Sequence, residues 1–148
     1  MKIYLATDHA AFELKEYVKN ELTNGGYDVE DCGAFQFDPH DDYPDLIKIA
    51  AQKAGSNPGS FGVVFGKSGT GEAIVANKIN GVRAVIAFNE ENVRLAREHN
   101  DANVLSIGSQ FVTNEQAVML IKLFINTAFT NEERHTRRIE KIHQLENE

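Results

Sequence analysis

This chain of 148 residues has no tryptophan, one cysteine, two methionines and three prolines. The lone Cys32 cannot close an internal disulfide, which fits a reducing compartment and points to the cytoplasm. Its neighbours Val29 and Gly33 suggest a strand end, so an inert, partly buried thiol is expected. Positive charge is also scarce: 15 Lys and Arg against 22 Asp and Glu leave a net charge of −7, which argues against nucleic acid as a partner. No apolar run approaches the length of a bilayer span, and Met1-Lys2 leads straight into a strand pattern, so neither a membrane partner nor a secretion leader is expected. Metal-ligand spacing is missing as well. Asp38, His40, Asp41 and Asp42 crowd one loop, which reads as a solvated loop. What remains is an ordinary globular composition, 42% hydrophobic and 25% charged, sized for one domain over residues 1–148.

Strand and helix patterns alternate along the chain, the signature of an α/β fold with a parallel sheet covered on both faces. Strands are predicted over Lys2–Thr7, Tyr27–Cys32, Gly62–Phe65, Val82–Phe88 and Asn103–Ile107. Ala10, Leu14, Val18 and Leu22 recur at helical spacing until Gly25-Gly26 stops them. Tyr43-Pro44 opens a helix reaching about Ala54, since proline suits a first turn. Another helix follows the third strand and ends near Gly81, and a fourth runs from Glu90 to His99. Thr113 and Gln116 form a capping box for a helix to about Thr127. A charged C-terminal helix spans about 132–145; Ile139, Ile142 and Leu145 would give it an apolar stripe suited to a partner subunit.

The most informative segment is Phe61 to Lys78, a buried strand, a glycine-rich turn and a helix. Gly66, Gly69 and Gly71 allow close backbone approach, and free N–H groups at such a turn form an anion cradle. It is no Walker A loop, because Glu72-Ala73 follows Gly71 where Lys and Ser/Thr would be needed. It is no dinucleotide fingerprint either, because Ile74 stands where the last glycine would fall. Glu72 beside the cradle fits a site that removes a proton and shelters the resulting oxyanion. An acid in a first helical turn also favours the helix dipole, and the residues alone leave both readings open.

Other candidates carry similar pairs of readings. Asp8 either caps the helix after strand one or carries a proton to a ring oxygen, and His9 beside it could donate to a phosphate. His99 sits at a helix end, where a cation relieves the carbonyls, yet Asn100 and Asp101 make that corner dense in polar groups. Arg134 and Arg138 are four apart and share a face. They form either a phosphate clamp or a solvated face paired with Glu133 and Glu140. In open parallel sheets ligands sit outside the carboxyl ends of the strands. Asp8, His9, the loop to Tyr43 and Gly66–Glu72 all fall there.

Several ordered motifs bear on identity. They are Thr7-Asp8-His9 with Phe12 and Lys15, then Asp42-Tyr43-Pro44, then Gly66-Lys67-Ser68-Gly69-Thr70-Gly71-Glu72, then Ala76-Asn77-Lys78. Gly81-Val82-Arg83-Ala84, Arg97-Glu98-His99-Asn100, Asn103-Val104, Ile107-Gly108 and Arg134 to Arg138 follow. Together they resemble the ribose-5-phosphate isomerase B family, which also holds galactose-6-phosphate isomerase subunits and allose-6-phosphate isomerases. The resemblance implies a Rossmann-like three-layer α/β/α sandwich with a five-stranded parallel sheet. It implies a homodimer, sometimes a tetramer, with the site at the subunit boundary, a small sugar phosphate as ligand, and neither metal nor cofactor. One branch of the family takes its base from a cysteine at the end of strand three; here that position is Gly66, and the glutamate of the other branch is Glu72.

By the same resemblance, Ser68 would help move protons while amides from Lys67 through Gly69 and Thr70 to Gly71 hold an enediolate. Asp8 and His99 would open the sugar ring, Asn100 and Tyr43 would hold hydroxyls, and His9, Arg134 and Arg138 would take the phosphate. Two positions depart from the family pattern: Gln110 stands where arginine is frequent, and Lys67 where glycine is usual. The expected reaction is ribose 5-phosphate to ribulose 5-phosphate through a cis-enediolate. The alternatives are the same chemistry on another sugar, or a non-catalytic sugar-phosphate-binding protein.

Overall fold

Short runs rich in valine, isoleucine and phenylalanine, bounded by glycine or polar turns, become the strands of one sheet. The computed structural model describes residues 1–148. The strands are β1 (Lys2–Thr7), β2 (Asp28–Asp31), β3 (Phe61–Gly66), β4 (Ala84–Ile86) and β5 (Val104–Gly108). The helices are α1 (Phe12–Asn24), α2 (Tyr43–Ser56), α3 (Thr70–Asn77), α4 (Glu90–Asn100), α5 (Asn114–Asn126) and α6 (Glu133–Leu145). All strand pairs are parallel, in the order β2-β1-β3-β5-β4. The expected Rossmann-like α/β architecture is therefore present.

Central β3 is buried at every residue and shows no polar alternation, because helices cover both of its faces. On one face Ile3, Leu5, Val63, Phe65, Leu105 and Ile107 pack under Leu14, Val18, Val93, Ile121 and Phe124 of α1, α4 and α5. On the other, Tyr4, Ala6, Val64 and Val104 meet Ile47, Ala50, Ala51, Ala54 and Ala76 of α2 and α3. Each large side chain so buried contributes about 1.5–3 kcal/mol, and strand alternation sends neighbouring residues to opposite cores.

Several boundaries differ from the sequence-based expectation, with local causes. Asp8 accepts the Ala10 N–H and starts a 3₁₀ turn over His9–Ala11. Buried Ala11, not exposed Ala10, therefore packs inward. Helix α3 stops at Asn77, short of Gly81, because the Asn77 amide turns to pair with both the N–H and C=O of Ala84. Strand β4 covers only Ala84–Ile86 because the Asn92 amide takes the Ile86 carbonyl and the Phe88 N–H, bending the chain away. The Thr113–Gln116 capping box forms as expected.

A wholly buried cation positions the segment after β2. Lys15 Nζ donates to Asp31 Oδ1 at 2.7 Å and to the Ala34 carbonyl at 2.6 Å. A buried charge without such partners would be strongly destabilising. The pairing ties α1 to the start of the loop that carries Asp41 and Tyr43.

Candidate active site

From β1 the chain moves outward to β2 and then returns across β1 to β3. The crevice above β1 and β3 is thus the topological switch point, where ligands of open α/β sheets bind. Asp8 and His9 follow β1, and the loop Gly66 to Gly71 follows β3.

Glu72 lies in the first turn of α3 with only 4% of its surface exposed. Its carboxyl group folds back onto Gly66 so closely that a β-carbon there would collide with Oε1, Cδ and Oε2. Any side chain at 66, a cysteine included, would therefore compete with the Glu72 carboxyl for one space. Burial pushes the Glu72 carboxyl above its ordinary value of 4.5, nearby Asp8 adds to the rise, and backbone N–H groups of Glu72 and Gly69 oppose it. Desolvation thus prevails over the helix start, as a general base requires.

The glycine loop is held from below. Ser109 and Gln110 N–H groups donate to the Gly66 and Lys67 carbonyls at 2.9 and 3.1 Å. Ser106 Oγ donates to the Gly69 carbonyl at 2.7 Å. Gly69 caps α3 in the left-handed region (φ 79°) and has no side chain to occupy the donors of the first turn. Thr70 N–H reaches Ser68 Oγ at 3.3 Å. Ser68 and Lys67 are exposed, and Lys67 forms no ion pair. Gln110 is exposed on the same edge. The Tyr43 ring lies over Gly71, where a β-carbon would come within 2.8 Å of Cζ and 3.0 Å of the hydroxyl oxygen.

Asp8 is buried, and burial raises its carboxyl above the usual value despite the Ala10 N–H bond and nearby His9. The capping reading holds, since Oδ1 accepts the Ala10 N–H at 3.0 Å; the raised carboxyl is compatible with the proton-carrier reading as well. His9 Nδ1 lies 2.6 Å from Asp41 Oδ1. The reading of Asp41 as solvated is corrected: its side chain is 12% exposed because it turns in to hold His9. No signal among the four polar residues of that loop distinguished it. Cys32 is buried, with its thiol pushed up to about 11, in keeping with an inert thiol.

A second group of candidates gathers at the opposite edge of the sheet. His99 and Asn100 close α4 just before β5 begins, whereas the glycine loop sits beyond its end, in register Gly66↔Gly108. The length of β5 alone separates the groups by roughly 13 Å. His99 stacks on His135 of α6, ring centres 4.4 Å apart and 18° from parallel. His135 is buried, a neighbour that sequence reading overlooked although it sits inside the Arg134–Arg138 motif. Arg134 pairs with Glu132 at 3.0 Å rather than with Glu133, and exposed Arg138 has no ion pair. Helix α6 is anchored at this edge by Arg83 Nη1, 2.9 Å from His143 Nε2, and by the Gly81 N–H donating to Glu146. One chain thus brings together Asp8, His9, Tyr43, Gly66–Glu72 and Gln110. It leaves His99, Asn100, Arg134 and Arg138 apart from them.

A buried carboxylate with a raised pKa beside a glycine loop at a switch point has the make-up of an enzyme site that moves a proton and shelters an oxyanion. The chain belongs to the ribose/galactose isomerase family, whose pattern matches residues 3–142. It is 41% identical to ribose-5-phosphate isomerase B of Mycobacterium leprae over 99% of this chain and 90% of that protein. The crystal structure of ribose-5-phosphate isomerase B from Mycoplasma genitalium with bound ribulose-5-phosphate superposes with a TM-score of 0.94 at 36% identity, covering 99% and 97% of the two chains. The type B enzyme of Trypanosoma cruzi superposes at 0.93, with 34% identity and 99% of each chain covered. No helix is long and apolar enough to cross a membrane.

Proposed function

We propose that this chain is an aldose–ketose isomerase interconverting ribose 5-phosphate and ribulose 5-phosphate. The observation that carries the mechanism is the Glu72 carboxyl, buried, raised in pKa and seated on Gly66 beside the donor loop. After ring opening, Glu72 takes the proton from C2 of the aldose. Amides of the Lys67–Gly71 turn hold the negative charge on the enediolate oxygen, and the proton is returned to C1. Ser68 serves the oxygen at C1 or C2, and Asp8, its carboxyl raised above the usual value by burial, serves the ring oxygen with His99. A positioned base contributes roughly 10²–10⁴ in rate, and an oxyanion donor about 10²–10³.

The working unit is a homodimer, or a pair of dimers, with each site built from two chains. The separation of His99, Asn100, Arg134 and Arg138 from Glu72 supports this reading, because only a second copy can bring that group over the crevice. Exposed Phe88 and Phe111 beside the loop, together with Ile142 and Leu145 on α6, supply apolar surface for such contact. The phosphate then meets His9 from one chain and Arg134 and Arg138 from the other, while Asn100 and Tyr43 hold hydroxyls. Buried, unpaired Cys32 suits a cytoplasmic enzyme.

A second reading keeps the chemistry and changes the sugar. Gln110 motivates it, because an exposed neutral amide binds phosphate more weakly than a guanidinium. A coupled assay with ribose 5-phosphate, run on the wild type and Glu72→Gln, tests the first reading; kcat/KM for other sugar phosphates tests the second. Turnover by Glu72→Gln at the wild-type rate would exclude Glu72 as the base. A preference for another sugar would replace the substrate.

A further inference from the structure

Asp41 has a role beyond loop structure. Its Oδ1 accepts two donors from His9, the main-chain N–H at 3.2 Å and Nδ1 at 2.6 Å. An ionised carboxylate can only accept, so Nδ1 carries the proton and Nε2 is the ring nitrogen left for a ligand. Oδ2 is buried and has no partner, an arrangement that lowers stability and is tolerated where a group serves a site. The imidazole lines an open cavity of about 480 Å³ with Ala10, Phe12, Phe37, Ser109 and Asn114, adjacent in sequence to Gln110.

We propose that Asp41 is a positioning residue for phosphate recognition, locking the His9 imidazole through Nδ1 and the main chain so that Nε2 is presented as a donor to the substrate phosphate. The inference rests on the sugar-phosphate reading of the site. The groups that act on the His9 charge are Asp41, Asp8 and Asp38, and Glu13 lines the same cavity. The ring of Phe37 stands edge-on at 6.2 Å. Asp41, Asp8 and Asp38 each favour the imidazolium, Asp41 most through its hydrogen bond, and the His9 pKa is raised above 6.5 against partial desolvation. A cationic ring makes the Nε2–H bond to phosphate charge-assisted and about twice as strong as a neutral one. Gln110 on the same edge is neutral, so that cation matters more.

The test uses Asp41→Asn, which keeps size and an acceptor but removes the charge. NMR titration of the His9 ring nitrogens in the whole protein should show, in the wild type, a protonated Nδ1 and a pKa above the ordinary histidine value. In Asp41→Asn the pKa should fall towards that value. Affinity for inorganic phosphate and KM for ribose 5-phosphate should weaken about tenfold at pH 8 and less than about threefold at pH 6, where the ring is protonated regardless, with kcat within about twofold. In a His9→Asn background, Asp41→Asn should add nothing. An unchanged His9 titration, an equal loss at both pH values, or full additivity with His9→Asn would overturn the proposal. Should the variant not fold, the wild-type titration decides: an ordinary pKa or a bare Nδ1 refutes it. Phosphate affinity and the ring titration need no turnover, so a failure of the ribose 5-phosphate reading is seen separately.

Discussion

Replacing Gly66 by alanine adds one methyl group at the position where Glu72 rests its carboxyl. Gly66 is absent from the glycines with positive φ, so alanine fits the backbone and the substitution acts through space rather than strain. Of the three carboxyl atoms facing the new carbon, the farthest is Oε2 at 2.5 Å, about 0.9 Å short of the 3.4 Å at which ordinary contact begins. Oε1 and Cδ are closer still. The whole carboxyl must therefore retreat by about an ångström or more, and a misplacement of about 1 Å costs on the order of 10²-fold in rate. On the proposed reading the phosphate is held by His9, Arg134 and Arg138 and not by Glu72, so kcat should fall about a hundredfold while KM changes by less than about threefold. Steady-state kinetics with ribose 5-phosphate, alongside a thermal melt to confirm folding, measures this. A folded Gly66→Ala enzyme with wild-type kcat would show that the position of the Glu72 carboxyl is irrelevant to turnover, and would remove the base assignment with it.

Other outcomes follow from the same geometry. Glu72→Gln should lose at least about 10² in kcat without losing stability. The Glu72 pKa is raised above 4.5 in the fold, so its contribution to stability is intact below that pH and declines as pH rises through the folded value. The variant should melt at or above the wild-type temperature at pH 7, with the gap closing in acid; a clearly lower melt at pH 7 would contradict the desolvation account. For the wild type, kcat/KM should fall in acid at a pH above 4.5, following the raised carboxyl. Mixing inactive Glu72→Gln and His99→Asn chains should restore about a quarter of wild-type activity if sites span two subunits, and no recovery after subunit exchange would argue for sites within one chain. Combining Gly66→Cys with Glu72→Ala should recover part of the activity lost in Glu72→Ala alone, with a more alkaline pH profile, because a thiol then occupies the vacated space. Cys32, with its thiol at about 11, should resist alkylation at pH 8 until the protein is unfolded; rapid labelling of the native protein would contradict its burial.

Much of the architecture is written in near neighbours. Helix starts at Thr113 and Asn89, the proline entry to α2 and the uninterrupted apolar run of β3 depend on contacts a few residues apart, and such preferences survive in any context that permits them. The same holds for Glu72, whose place directly after a glycine turn is a local pattern. The helix after β3 and the fourth strand ended early where a side chain reached across several residues, as Asn77 does to Ala84 and Asn92 to Ile86.

The strand order, the collision between residue 66 and the Glu72 carboxyl, and the 32-residue reach from Asp41 to His9 belong to the folded chain alone. So does the division of candidates between the two edges of the sheet, which turned a list of polar residues into a crevice and a distant complement. Pairings of this kind are selected by burial and packing summed over the whole molecule, and no local pattern records them. Asp41 shows the difference most clearly. Its neighbours Asp38 and Asp42 share its charge and its loop, and only the path of the backbone past β1 brings one carboxylate, rather than the others, against an imidazole.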